Sequence, residues 1–189
     1  ATVEVSFRNN TSHFLKIPIR NGAFARLQKE HDTLQQLHEL GLKKSCVPKS
    51  YFLDDRLLIS QVHPEKAQKT VDLGLTHLES LDELYQKTWT AAKLEDLSMM
   101  VDIQQQLDSL QTISWVENGI NPARAKEMVQ LLKEIFNNLH RPAKLSVAMA
   151  HSDFSPWNMY EENGRLFLYD FELSKMQMPL FFDLFHYIF

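Results

Sequence analysis

The sequence is poor in cysteine, glycine and proline, and each shortage excludes a class of protein. A single cysteine, Cys46, allows neither an internal disulfide nor a cysteine-rich zinc centre, so we expect a reducing, cytoplasmic compartment. Five glycines and seven prolines exclude a collagen-like or linker-like chain. No stretch approaches 18 consecutive apolar residues, so we expect no membrane span.

An excess of positive charge is also missing. Twenty Lys and Arg residues stand against 24 Asp and Glu residues, which gives a net charge of −4 and no electrostatic reason to bind nucleic acid. The eight histidines show no spacing typical of metal ligands. Hydrophobic residues make up 44% of the 189 positions, enough for one medium domain or two small lobes that share a site. Nothing in the sequence determines an oligomeric state.

The first sixty residues predict a small β-rich unit with one helix. The expected elements are a hairpin of strands over 2–7 and 13–19, a helix over 23–40, and short strands over 51–53 and 57–59. Lys16 lies on the second of these strands. Glu30 falls within the apolar stripe of the helix, where a carboxylate needs a cationic or hydrogen-bonding partner.

The remainder of the chain, after a boundary region at 60–72, predicts mainly helices. Thr76 and Glu79 form a possible capping box for the first of them. A second, less regular helix is expected near 94–110. Asn121 with the following proline predicts the start of a third helix, whose expected core face is Met128, Leu132, Ile135 and Leu139.

The stretch 150–172, AHSDFSPWNMYEENGRLFLYDFE, contains the strongest local signal for a hairpin. The Asn-Gly dipeptide at 163–164 predicts a two-residue turn that pairs Tyr160 with Phe167. This register brings Asn158 and Asp170 to the open end of the hairpin. The two side chains can converge there only if the strand ends or bulges at Asp170, because ideal pairing places them on opposite faces.

The polar residues of this stretch suit phosphoryl transfer to a hydroxyl group. The oxygens of Asn158 and Asp170 are hard ligands of the kind that Mg²⁺ prefers, together with phosphate oxygens. Asp153 lies in the loop before them, where a carboxylate can accept the proton of an attacking hydroxyl. His151 is interpreted as a structural hydrogen-bonding residue. For Trp157 packing is favoured slightly, and stacking on a substrate stays open as the alternative.

The segments HSDFSPWN and YDFE resemble the catalytic and metal motifs of the aminoglycoside phosphotransferase and choline kinase family. This resemblance implies an α+β, protein-kinase-like fold with two lobes. A small β-rich N-lobe would cover residues 1–62, and a larger, mainly helical C-lobe with the catalytic hairpin would cover residues 63–189. It also implies an enzyme that uses ATP and Mg²⁺ to phosphorylate a hydroxyl of a small molecule. A choline- or ethanolamine-like compound, a sugar and an aminoglycoside remain open as acceptors.

The same resemblance implies roles for residues near the C-terminus. Asp153 would be the catalytic base, and Asn158 and Asp170 would hold Mg²⁺. Asp183, at the start of the helix that follows, would support the catalytic loop through hydrogen bonds.

Upstream residues complete the nucleotide site that the resemblance implies. Lys16 in the segment Phe-Leu-Lys-Ile is similar to the lysine that holds nucleotide phosphates, and Glu30 to the helix glutamate that pairs with it. Ser60, Gln61 and Val62 fall where the hinge between the lobes would contact adenine.

The sequence also bears on two other functions. No glycine-rich strand-turn-strand precedes Lys16, which favours a kinase-like nucleotide- or ligand-binding module without transfer activity as the alternative. A protein kinase is disfavoured, because the eight residues between Asp170 and Pro179 leave no room for an activation segment.

Overall fold

Strands and helices alternate along the chain in an α+β arrangement, which confirms the predicted fold class. The computed structural model describes residues 1–6, 12–60, 66–110, 113, 115, 119–138 and 144–189. The helices are α1 (Ala23–Glu39), α2 (Leu75–Thr88), α3 (Ser98–Ser109), α4 (Pro122–Asn137) and α5 (Phe182–Ile188). The strands are β1 (Thr2–Ser6), β2 (Ser12–Lys16), β3 (Ser45–Cys46), β4 (Ser50–Leu53), β5 (Arg56–Ser60), β6 (Thr90–Ala92), β7 (Leu145–Ala150), β8 (Met159–Glu162), β9 (Arg165–Leu168) and β10 (Lys175–Pro179). No described helix is long and apolar enough to cross a membrane.

Two compact units can be distinguished. The first comprises residues 1–89 and 148–189, and the second comprises residues 90–147. The division predicted between residues 62 and 63 falls outside the described residues and stays a prediction.

An antiparallel sheet with the strand order β1-β2-β5-β4 forms the N-terminal part of the first unit. The predicted hairpin is confirmed, with Thr2 opposite Lys16, while its predicted turn lies outside the described residues. Strand β2 ends at Lys16, short of the predicted residue 19, because Pro18 has no N–H to donate to a neighbouring strand. Leu57 on the next strand also lies opposite Lys16, so the lysine occupies a fixed position at the end of a central strand.

The hairpin of β8 and β9 has the predicted turn and register. Asn163 and Gly164 both adopt positive φ angles, 52° and 68°, as a type I′ turn requires. Tyr160 lies opposite Phe167, as the spacing predicts. Strand β3 adds to β9 in parallel, so β9 is the central strand of this small sheet.

A hydrophobic core lies beneath the segments that surround the hairpin. Helices α1 and α2 contribute Leu34, Leu37, Leu81 and Leu84. Phe154 follows Asp153 directly and Phe171 follows Asp170, and both phenylalanines are buried in this core. Burial of such a side chain is worth about 2–3 kcal/mol. The core therefore anchors both polar residues through their neighbours.

The N-terminus of α2 differs from the sequence prediction. Gly74 is the N-cap, and its N–H donates to Nδ1 of His77 at 3.1 Å. The predicted capping box of Thr76 and Glu79 is wrong: Thr76 already lies in the first turn and donates its hydroxyl to Glu161 at 2.6 Å. Glu79 forms an ion pair with Lys44 instead.

The second unit has a core of its own, made by α3, α4 and the strands β6 and β7. Leu97, Met100, Leu107, Phe136 and Val147 form this core. Strand β6 pairs antiparallel with residues 145–147. The predicted N-cap of α4 is confirmed, since Asn121 Oδ1 accepts the N–H groups of Ala123 and Arg124 at 3.0 and 3.4 Å.

The buried face of α4 is not the predicted one. Met128, Leu132 and Ile135 are 66%, 43% and 54% exposed, and Leu139 lies outside the described residues. Ala125, Val129 and Phe136 are buried in their place. The observed face is rotated by one residue, about 100°, relative to the predicted stripe.

Because two histidines are fully buried, we expect the free energy of unfolding to fall in acid. Burial lowers the pKa of His77 and of His151 below the ordinary value, so the unfolded chain binds more protons than the folded one as the pH falls below about 6.5. The stabilisation is complete above that pH and is lost as the pH falls from there towards the lowered pKa of each folded histidine, with a slope of at most about 1.4 kcal/mol per pH unit for each. Urea unfolding between pH 7 and pH 5 measures this slope.

A comparison of histidine variants shows which histidines cause the pH dependence of the free energy of unfolding. His77→Asn should remove the share of that histidine and leave the share of His151, while His38→Asn, which replaces an exposed histidine on α1, should leave the slope unchanged. A free energy of unfolding that stays constant from pH 7 to pH 5 would contradict the expectation.

Candidate active site

A buried ion-pair cluster joins the sheet, helix α1 and the segment after β9. Lys16 Nζ lies 2.9 and 2.7 Å from the two carboxylate oxygens of Glu30 and 2.7 Å from Oδ1 of Asp170. The side chains of Lys16 and Glu30 are 13% and 1% exposed, and that of Asp170 is 41% exposed. The structure therefore brings together three of the residues singled out in the sequence.

The surroundings of Lys16 keep the lysine side chain protonated and positively charged. Burial by itself lowers the pKa of the lysine, but the carboxylates of Glu30 and Asp170 outweigh burial and raise the pKa above its ordinary value. Glu30 is the inward-facing carboxylate of α1, and Lys16 is the cationic partner that its position requires.

The loop between β7 and β8 holds the Asp153 carboxylate through local hydrogen bonds. The amide Nδ2 of Asn158 donates to Oδ2 of Asp153 at 2.8 Å and to its backbone carbonyl at 3.0 Å. The hydroxyl of Ser155 donates to the other carboxylate oxygen, Oδ1, at 3.3 Å. These bonds orient the carboxylate and leave its side chain 27% exposed.

His151 and Asp183 support this loop from beneath, as the sequence and the resemblance lead us to expect. The backbone N–H groups of His151 and Ser152 donate to the two carboxylate oxygens of Asp183 at 2.7 and 2.9 Å. His151 Nε2 lies 2.7 Å from the carbonyl oxygen of Tyr169, and its Nδ1 accepts the N–H of Asp153 at 3.3 Å. The buried imidazole is therefore a neutral link between the loop and the residue before Asp170.

The backbone at Asp170 lets its side chain reach the same region as Asn158. Strand β9 ends at Leu168, and the N–H of Tyr169 donates to the carbonyl oxygen of Asn158 at 3.0 Å. Asp170 then adopts a left-handed conformation, with φ 64° and ψ 63°. Aspartate tolerates this region better than most residues. The pairing of the hairpin requires the strand to end or bulge at Asp170 if the side chains of Asn158 and Asp170 are to converge, and the end of β9 with the turn at Asp170 meets this requirement.

A cavity of about 220 Å³ lies beside these groups. Its charged and amide side chains are Lys16, Asn158 and Asp170, and its other lining residues are Thr2, Phe14, Ile59, Trp157, Tyr160 and Tyr169. The prediction that Trp157 packs inside the protein is wrong, because its side chain is 65% exposed and lines this cavity. The aromatic lining residues Phe14, Trp157, Tyr160 and Tyr169 come from different elements of the chain. The alternation of residues along any single strand therefore does not predict that they line one cavity.

The donor set fits a small divalent cation. Asn158 uses its amide nitrogen towards Asp153 and Asp170 uses Oδ1 towards Lys16, so Asn158 Oδ1 and Asp170 Oδ2 accept no hydrogen bond from the described residues. One amide oxygen and one carboxylate oxygen on the same cavity match the sparse protein ligation of Mg²⁺. Glu172, to which the sequence assigned no role, lies near Asp170. One carboxylate oxygen from each of Glu30, Asp170 and Glu172 lies within 4.8 Å of the other two.

The predicted hinge contact is described only in part. Ser60 uses its hydroxyl on the backbone of Lys49, accepting the N–H at 2.9 Å and donating to the carbonyl at 3.2 Å. It does not line the cavity, whereas its neighbour Ile59 does. Gln61 and Val62 lie outside the described residues, so adenine contact by residues 60–62 stays a prediction.

Solved structures with a similar fold are small-molecule phosphotransferases. The aminoglycoside phosphotransferase APH(2″)-IIa, solved as a ternary complex with streptomycin and ATP, aligns with 95% of this chain and 68% of its own, at a TM-score of 0.63 and 18% identity. The macrolide 2′-phosphotransferase MphH from Brachybacterium faecium, solved as the apoenzyme, aligns with 98% of this chain and 66% of its own, at a TM-score of 0.62 and 14% identity. The amicoumacin kinase hAmiN, solved in complex with AMP-PNP, Ca²⁺ and Ami, aligns with 99% of this chain and 60% of its own, at a TM-score of 0.56 and 15% identity.

These likenesses confirm the protein-kinase-like fold of the phosphotransferases, which the HSDFSPWN and YDFE segments suggest. The chain spans about two thirds of the length of APH(2″)-IIa. No protein-family model matches the sequence, and the comparison with curated proteins found no match.

Proposed function

We propose that the protein is a small-molecule kinase that transfers the γ-phosphate of ATP to an alcohol group of its substrate. The observation that carries this proposal is the grouping of Lys16, Asn158 and Asp170 around one cavity, with Asp153 hydrogen-bonded to Asn158. Phosphoryl transfer asks the protein mainly to position groups and to neutralise charge, and these side chains do both.

The cavity suits a nucleotide with its base towards the aromatic residues and its phosphates towards Lys16. Phe14, Tyr160 and Tyr169 offer apolar and π surface for a purine. The lysine ammonium, held in place by Glu30, faces the polar end, where it would neutralise phosphate oxygens.

The metal that this reaction requires would be Mg²⁺, held by Asn158 and Asp170. Bound there, it would neutralise charge on the phosphates. Asp153 accepts the proton of the attacking hydroxyl, and its bonds to Asn158 and Ser155 aim the carboxylate before the acceptor arrives. Asp183 and His151 keep the loop in place during the reaction.

The structural neighbours support a small molecule as the acceptor. They are a kinase of amicoumacin, a phosphotransferase of macrolides and a phosphotransferase solved with an aminoglycoside. A choline- or ethanolamine-like alcohol, a sugar or an aminoglycoside would each offer the hydroxyl that Asp153 requires.

A transfer assay tests the proposal. The protein is incubated with radiolabelled [γ-³²P]ATP, Mg²⁺ and a panel of choline, ethanolamine, hexoses, aminoglycosides and macrolides, and labelled products are separated. We expect transfer to at least one class, with ADP formed in equal amount. Tight binding of ATP with no transfer to any compound would instead support the nucleotide-binding module.

Removal of the Asp170 charge should abolish the metal dependence of nucleotide binding. In Asp170→Asn, calorimetry should show ATP affinity that no longer rises on addition of Mg²⁺, because the substitution removes the negatively charged ligand of the proposed site and leaves two neutral amide oxygens to hold the cation. Glu162→Gln, which neutralises a carboxylate that does not line this cavity, is the matched control. Unchanged Mg²⁺ dependence in Asp170→Asn would remove this residue from the metal site.

A further inference from the structure

A second cavity, of about 320 Å³, adjoins the cavity described above. The two share Thr2, Lys16 and Asp170 in their walls. The cavity beside the aromatic residues measures only about 220 Å³, whereas sites for small molecules and cofactors occupy about 300–1,000 Å³. A nucleotide bound beside the aromatic residues would therefore extend past Lys16 into the second cavity.

Two arginines without partners distinguish this second cavity. Arg20 and Arg26 both line it, and both residues are exposed. Neither guanidinium group forms a hydrogen bond or an ion pair with another residue in the part of the chain that the structure describes. A guanidinium group carries five N–H donors in a planar fork that matches phosphate oxygens. Both groups are thus available to a ligand, and we call this space the arginine cavity.

The backbone places both arginines close to Lys16. Arg20 follows the strand that ends at Lys16, and its carbonyl oxygen accepts the N–H of Ala23 at 3.0 Å in the turn that leads into α1. Arg26 lies four residues before Glu30 on α1, so it shares a face of the helix with the glutamate at a rise of about 6 Å. Because Glu30 holds Lys16 at 2.7 Å, the lysine and the two arginines border one space.

Carboxylates also border the arginine cavity. Asp170 and Glu172 line it together with the three cationic side chains. A free anion would be repelled by these carboxylates. A polyphosphate that carries a divalent cation would be attracted by both sets of charges, because its cation can face the carboxylates while its oxygens face the guanidinium groups. The mixture of charges therefore favours a metal-bound polyphosphate as the ligand.

We propose that Arg20 and Arg26 bind the terminal phosphate groups of the nucleotide in a subsite next to Lys16. The proposal rests on the proposed function, because that function supplies the nucleotide. Lys16 holds the phosphate nearer to the nucleoside, and the arginines hold the phosphates farther from it. The affinity for a nucleotide should therefore depend, through these two arginines, on the number of its phosphate groups.

Nucleotides with different numbers of phosphates test the subsite. With Mg²⁺ in excess, calorimetry compares the binding of ATP and of AMP to wild type and to Arg20→Gln/Arg26→Gln. We expect the double variant to bind ATP about ten- to a hundredfold more weakly, the loss expected for charge-assisted hydrogen bonds, and to bind AMP within about twofold of wild type. Inorganic tripolyphosphate, which has no nucleoside, should displace ATP from wild type.

A matched pair of exposed arginines controls for the loss of charge. Arg56→Gln/Arg124→Gln removes two positive charges from strand β5 and helix α4, and neither residue lines either cavity. This variant should bind ATP and AMP as wild type does, and circular dichroism should show that both double variants are folded. A loss of ATP affinity below tenfold in Arg20→Gln/Arg26→Gln, an equal loss for AMP, an equal loss in the control pair, or no displacement of ATP by tripolyphosphate would overturn the proposal.

The failure of the subsite can be told apart from the failure of the proposed function. If wild type transfers phosphate while Arg20→Gln/Arg26→Gln binds ATP as tightly as wild type, only the subsite is rejected. If wild type binds ATP but transfers phosphate to no acceptor, the transfer activity is rejected, and the comparison of ATP with AMP still decides the subsite. If wild type binds no nucleotide, both proposals fail.

Discussion

Asp153→Asn should lower turnover by a factor of about 10²–10⁴, the usual contribution of a general base. The substitution preserves the size of the side chain, and its amide oxygen can still accept the hydrogen bond from Asn158. It removes the group that takes the acceptor proton. Affinity for ATP and Mg²⁺ should remain within about twofold of wild type, because Asp153 does not line the nucleotide cavity. Steady-state transfer and calorimetric binding measure the two effects separately.

Asp82→Asn is the matched control for this variant. Asp82 is exposed on α2 and its carboxylate accepts a bond from Gln86, so its neutralisation should leave turnover unchanged. Circular dichroism should show that both variants are folded. If Asp153→Asn kept more than a tenth of the wild-type rate, the carboxylate would not be the base.

Lys16→Met should lower the free energy of unfolding by about 3–5 kcal/mol, the cost of leaving a buried charge without its partner. Glu30 has a side chain only 1% exposed, and Lys16 bridges it to Asp170 at 2.7 Å. Without the lysine, two carboxylates face each other with no cation between them. Urea denaturation measures the loss, and ATP binding should weaken at the same time.

A second substitution should separate stability from function. In Lys16→Met with Glu30→Gln, the buried charge is gone, so much of the stability should return while ATP binding stays weak. Lys44→Met, which breaks the exposed pair with Glu79, should cost less than about 1 kcal/mol. A Lys16→Met variant as stable as Lys44→Met would show that the buried cluster is not held by its charges.

The sequence predicts the site best where neighbours in the chain determine the geometry. An Asn-Gly turn specifies the register of β8 and β9, and the buried Phe154 and Phe171 hold the polar residues that precede them. Glu30 on an otherwise apolar stripe indicates a buried partner, and the structure supplies Lys16.

Features that depend on contacts between residues far apart in the sequence could not be predicted from local sequence patterns. Helix α4 carries apolar residues on two faces, and the packing of the second unit decides which of them is buried. The cavity side chain of Trp157 and the contact of His186 with Asp153 have no periodic signal, because both arise where separate segments meet.

A crystal structure with AMP-PNP and Mn²⁺, recorded at a wavelength where manganese scatters anomalously, tests the central claim most directly. Our account places one manganese peak about 2.1 Å from Asn158 Oδ1 and from the Asp170 carboxylate, with the nucleotide phosphates bound to the same ion and close to Lys16. A peak held by Glu30 and Glu172 without Asn158, or a nucleotide bound outside the cavity lined by Phe14 and Tyr169, would contradict it.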